Sequence, residues 1–158
     1  MQKNGSGLKG VSRELLQYLQ VVAQKFVVQE KRSAGKRLDA ALLLASLDPA
    51  SARGPLLDLL DENDEPLRFG ALRGLIRWSP GGMAAIILKR WKDFSPRSRD
   101  EALAFMLKNQ DRTKQLLSSM EAGNVAVKDL SLSRIQTLRT LKNSKLCNTF
   151  YLHLLYVI

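Results

Sequence analysis

Between about residue 12 and residue 142, apolar side chains recur at helical spacing, and runs of β-branched residues are almost absent. Short clusters of turn-forming residues interrupt the pattern: Asp48-Pro49, Asn63-Asp64-Glu65-Pro66, Ser79-Pro80-Gly81-Gly82, Ser95-Pro96 and Gly123-Asn124. Proline cannot continue a helix and Asp, Asn and Ser offer side-chain acceptors to its first turn, so these clusters mark starts and stops. The pattern predicts helices near 12–31, 36–47, 51–61, 65–78, 82–91, 97–109, 111–121 and 131–142. Ser98 and Glu101 have the spacing of a capping box at the start of the sixth helix.

The helices repeat. Arg37, Arg68 and Arg99 stand 31 residues apart, and Ala40, Ala71 and Ala102 keep that interval. So do Leu44, Leu75 and Met106, and Ala45, Ile76 and Leu107; a fourth copy, shifted by four, contains Arg134, Thr137, Leu138 and Leu141. A period in this range predicts helix pairs that bury their apolar faces only by stacking on their neighbours. The expected fold is all-α, an α-solenoid of HEAT or armadillo type with about four helix pairs. It occupies residues 12–142, between a flexible segment 1–11 and an atypical apolar tail 143–158.

The repeated arginine has a structural reading. On the helix near 65–78, Leu67, Ala71, Leu72, Leu75, Ile76 and Trp78 gather on one face with Arg68 in its middle. A guanidinium there is costly to bury without acceptors, which predicts a fixed partner, with Asp58, Asp61 and Asp64 as candidates. Arg37, Arg68, Arg99 and Arg134 would then form a ladder between repeats; the competing reading is an exposed row that grips phosphates. Arg73 and Arg77, with Gly70 and Pro66, fall on the opposite face of that helix, pointing outward.

Composition adds charge. Lys and Arg number 25 against 15 Asp and Glu, a formal net charge of +10, so the mean field favours anionic partners. Arg73, Arg77, Lys89 and Arg90 are the candidate binding surface. Lys92, Arg97, Lys108, Arg112 and Lys114 extend it into a stripe if successive helices present them on one side, and otherwise are scattered solvated charges. No segment has the roughly 20 apolar residues of a membrane-spanning helix, and polar Arg13, Glu14, Gln17 and Gln20 interrupt any signal-peptide core. The default compartment is the cytoplasm.

Candidate chemistry is sparse. Cys147 is the only cysteine and His153 the only histidine, so no intrachain disulfide or cysteine-built zinc site can form, and nothing near the pair orients a nucleophile. Phosphate-binding loops, dinucleotide fingerprints, zinc-protease motifs and calcium loops are all missing from the sequence. No catalytic residue, cofactor, metal or small-molecule substrate is therefore expected. Trp78 and Trp91 close their helices and read as core before base-stacking platforms. Function is expected in surface recognition, of a protein or neighbouring domain first and of nucleic acid second. A helical-repeat DNA glycosylase is the enzymatic variant of the second reading, without an aspartate that stands out as catalytic.

The stretch from Asn63 to about Leu141 resembles the HEAT-type region of large planctomycete-type proteins described as membrane-bound dehydrogenases. The likeness lies in Arg90-Trp91, Phe94-Ser95-Pro96, Glu101-Ala102-Leu103, Leu116-Leu117, Glu121-Ala122-Gly123 and Asp129-Leu130-Ser131 before Arg134. In that family the repeats precede a c-type cytochrome domain. The resemblance thus implies a connector or docking segment beside a redox domain, in an exported chain, which would place it in the periplasm. It brings no catalytic residue here, and Cys147 is followed by Asn148 and Thr149 in place of a haem-attachment motif. After Leu141 the pattern lapses into Leu-Lys-Asn-Ser-Lys-Leu-Cys and an apolar, aromatic end. This end reads either as the mark of a truncated or frame-altered product or as a cap over the open end of the solenoid.

Overall fold

A computed structural model describes residues 13–27, 33–78 and 81–140. Among them the fold is all α, with eight α-helices, two 3-10 turns and no strand. The flexible segment expected at 1–11 and the tail at 143–158 lie outside the described residues, as do Cys147 and His153. The chain divides into two compact units, Met1–Ser79 and Pro80–Ile158.

The first unit contains α1 (Arg13–Val27), α2 (Ala34–Leu47), α3 (Pro49–Leu60) and α4 (Glu65–Trp78). Local chemistry sets the boundaries. Asp48 ends α2 and caps α3, its carboxylate accepting from the Ser51 amide and hydroxyl while Pro49 takes the first turn, where no amide donor is required. These bonds, with the Ser51 hydroxyl foremost, hold the Asp48 carboxyl below its ordinary range. Asp64 starts α4 in the same way, its Oδ1 accepting from the Leu67 amide at 3.2 Å. Consecutive helices pack on one another, and α2 also packs on α4. Ala41, Leu44, Ala45, Leu56, Leu59, Leu60, Ala71, Leu72 and Leu75 form the buried core.

Two glycines allow the α2–α4 contact. A Cβ on Gly70 would lie 2.5 Å from Leu38 Cδ2, and one on Gly74 would lie 2.7 Å from Leu42 Cδ2 and 3.3 Å from Leu56 Cδ1. The pair, one turn apart on α4, receives a pair one turn apart on α2. Gly70 therefore belongs to a packing face, not to the outward face on which its position relative to Arg73 and Arg77 would put it. Without a side chain it gives no sign of its direction in the sequence.

The second unit contains α5 (Met83–Lys89), a 3-10 turn at Trp91–Asp93, α6 (Pro96–Met106), α7 (Gln110–Glu121), a second 3-10 turn at Val127–Asp129, and α8 (Leu132–Thr140). Here too helices pack on next-but-one neighbours, α5 on α7 and α6 on α8. Such packing is consistent with a helical repeat. The start of α6 differs from the expected capping box: Ser95 is the cap, accepting from the Ser98 amide at 3.1 Å. Ser98 is buried one turn in. Pro96 explains the choice, since a proline at the first helical position places the cap immediately before it. At the other end of α7, Gly123 adopts φ 73°. The Gly123 amide then reaches Met120 O and the Asn124 amide reaches Ser119 O, the paired bonds of a Schellman stop.

Candidate functional site

The arginines at repeated positions lie at the helix contacts. In the first unit Arg37 Nη2 donates to Glu62 Oε1 at 3.1 Å. In the second, Arg99 Nη1 donates to Asp129 Oδ1 at 3.0 Å, and Arg134 grips Asp100 with two bonds, Nε to Oδ1 at 3.0 Å and Nη2 to Oδ2 at 2.9 Å. All three guanidiniums are half-buried, at 19–26% exposure. The hydrogen bonds from Arg134 hold the Asp100 carboxyl below its ordinary range, and Asp100 raises Arg134 in turn.

Arg68 differs. Asp64, one of its expected partners, accepts the Leu67 amide at Oδ1, and its carbonyl accepts the Arg68 backbone amide. Among the described residues no carboxylate pairs with the Arg68 guanidinium, including those of Asp58, Asp61 and Asp64. The residue is half-buried, and the acidic partner expected for it is not found among the described residues.

Asp129 organises the second unit. Its Oδ2 accepts from Trp91 Nε1 at 3.0 Å and from the Ala126 amide, while Oδ1 takes Arg99. Arg99 also donates to the carbonyls of Trp91 and Lys92 and lies 5.8 Å from the Trp91 ring centroid. Trp91 is 1% exposed, so its ring is core and not a stacking platform. The arrangement satisfies one indole donor and one guanidinium with a single carboxylate and two carbonyls, and so clasps Trp91, Arg99 and Asp129 together.

Within each unit the basic residues differ in exposure and in what they touch. Arg73 and Arg77 are exposed on α4, Arg73 5.8 Å from the Phe69 ring and Arg77 4.8 Å from that of Trp78, which is half-buried. Lys89 is exposed and Arg90 half-buried. Lys89 and Lys92 border a hollow of about 350 Å³ with Leu88, Ser119 and Asn124. Arg112 is engaged inside its own unit: Nη1 donates to Phe105 O at 3.2 Å and the guanidinium sits 3.9 Å from that ring. Lys114 pairs with Asp111.

The sequence reading missed an apolar groove between α1 and α2. Val22, Ala23 and Phe26 face Lys36, Asp39, Ala40 and Leu43 across a hollow of about 300 Å³. Leu15, Tyr18 and Val21 on α1 and Leu43 on α2 are large apolar side chains left 43–65% exposed. The signal was available: Leu15, Leu16, Tyr18, Leu19, Val21, Val22, Ala23, Phe26 and Val27 occupy more of the α1 circumference than one packed neighbour can cover. Apolar side chains clustered in this way mark an interaction surface more often than scattered ones do.

No cluster of three or more metal-ligating side chains occurs among the described residues, and none of their helices is long and apolar enough to cross a membrane. Comparisons with protein-family models, curated proteins and solved structures find no match to this chain.

Proposed function

We propose that the protein is a non-catalytic, HEAT-like helical-repeat scaffold that docks another protein or a neighbouring domain. The α1–α2 groove carries this reading: an apolar hollow with one cation and one anion, Lys36 and Asp39, suits a helix or chain segment with an apolar face. The 31-residue period and the next-but-one helix packing support the solenoid part, because stacked repeats leave an apolar face wherever the stack ends. The likeness of residues 63–141 to a repeat region that precedes a c-type cytochrome domain makes such a domain the first partner to try. A labelled c-type cytochrome domain titrated with the protein should bind saturably, and Leu43→Glu, a change at an exposed groove position, should weaken binding by about tenfold or more. Equal affinity for the two proteins would rule the groove out.

A second reading, a basic nucleic-acid binder, draws on Arg73 and Arg77, exposed beside aromatic rings on one helix. Its mark is affinity for mixed-sequence DNA that falls steeply between two salt concentrations as counterion release weakens, and that is lost in Arg73→Glu/Arg77→Glu.

A further inference from the structure

The outward face of α1 carries a second pattern, distinct from its groove side. Glu14, Tyr18, Val21 and Lys25 follow one another at intervals of four, three and four residues, which places all four within about 60° on the helix surface. All four are exposed, Tyr18 by 65% and Val21 by 48%. Neither Glu14 nor Lys25 pairs with an opposite charge among the described residues. The seam thus reads acid, apolar, apolar, base, and is complementary to itself when reversed.

We infer that α1 is a homotypic interface, through which two copies of the chain pair by laying their α1 helices antiparallel across a two-fold axis. Centring the axis between Tyr18 and Val21 puts Tyr18 against the partner's Val21 and Glu14 against the partner's Lys25. The symmetry makes each contact twice. A parallel arrangement would set Glu14 on Glu14 and Lys25 on Lys25, so the charges select the antiparallel one.

The net charge of +10 repels two copies at long range, so the overall field cannot drive the pairing and the local seam must. A helix of 15 residues is about 22 Å long and gives a contact at the small end of specific interfaces. The dimer is therefore weak, with a Kd on the order of micromolar. This pairing does not rest on the docking reading, which concerns the groove toward α2.

Sedimentation velocity of the whole chain over a concentration series, about 1 to 200 µM, tests it against Glu14→Lys, Lys25→Glu, the double exchange, Tyr18→Ser and Leu43→Glu. The native chain should pass from monomer to dimer. Each single reversal should raise Kd about tenfold or more, and the double exchange should return it to within about threefold of the native value. Tyr18→Ser should abolish dimers with its helical circular dichroism intact, and Leu43→Glu should leave them in place. A native chain monomeric throughout, single reversals without effect, or a double exchange that fails to restore association would each overturn the proposal. Loss of the dimer in Leu43→Glu alone would move the contact to the groove and overturn it as well.

Discussion

Arg134 on α8 and Asp100 on α6 meet through two parallel hydrogen bonds, at 3.0 and 2.9 Å, across 34 residues of chain. The two bonds fix α8 against α6 in orientation as well as distance. Asp100 is 49% exposed, so solvent screens the pair and its coupling energy at neutral pH should be about 0.5–1 kcal/mol. Because its carboxyl is held below the ordinary range, the contribution is present above the unfolded value of about 3.9 and is lost as pH falls through the lower folded value. A double-mutant cycle of Asp100→Asn and Arg134→Gln in urea should give a coupling that is flat from about pH 7 to pH 5 and declines progressively once pH falls below about 4. A coupling that grows on acidification would contradict this.

Asp129 and Trp91 should respond unequally to substitution. Asp129→Ala strips the acceptor from a buried indole donor and leaves Arg99 without its carboxylate, a loss of about 2–4 kcal/mol. Trp91→Phe removes the donor itself and keeps the Arg99–Asp129 pair, so its cost comes from the smaller ring in a filled core, about 1–2 kcal/mol. Chemical denaturation followed by circular dichroism compares them; a larger loss in Trp91→Phe would mean that ring packing outweighs the clasp.

Two glycines should give opposite results on replacement by alanine. Gly54 is exposed within α3 and a Cβ there meets nothing within 4 Å, so Gly54→Ala should stabilise by about 0.5–1 kcal/mol through helix propensity alone. Gly74→Ala gains the same propensity but presses a methyl onto both Leu42 and Leu56, at a cost of about 1–3 kcal/mol, and should come out less stable than the native chain. Thermal unfolding of the two variants reads the sign directly. If both stabilise alike, α2 and α4 do not approach as closely at Gly74 as described.

Much of this fold is legible in the sequence because its punctuation is local. The expected helix at 65–78 and the observed Glu65–Trp78 have the same bounds, and Asp64 caps the start. The expected 36–47 and the observed Ala34–Leu47 share the end made by Asp48-Pro49. The fifth helix is shorter than expected, Met83–Lys89 against 82–91, because Trp91 belongs to a separate 3-10 turn with its indole drawn onto Asp129. Long-range partners are less legible. The period singled out Arg37, Arg99 and Arg134, but Glu62, Asp129 and Asp100 are chosen by which helices pack together, 25 to 34 residues away. Arg68 shares their register without a described carboxylate. The groove is less legible because the apolar residues of α1 are spread over more of the helix surface than one neighbour covers, and which of them stay exposed is decided by the packing of α2.

The most direct test of docking through the α1–α2 groove is calorimetric titration of a c-type cytochrome domain into the protein at several temperatures, with Leu43→Glu and Arg73→Glu/Arg77→Glu in parallel. Apolar docking gives a negative heat-capacity change of binding, little dependence on salt, and a loss in Leu43→Glu but not in the arginine variant. Absence of binding, or affinity that collapses with salt and depends on Arg73 and Arg77 instead, would contradict it.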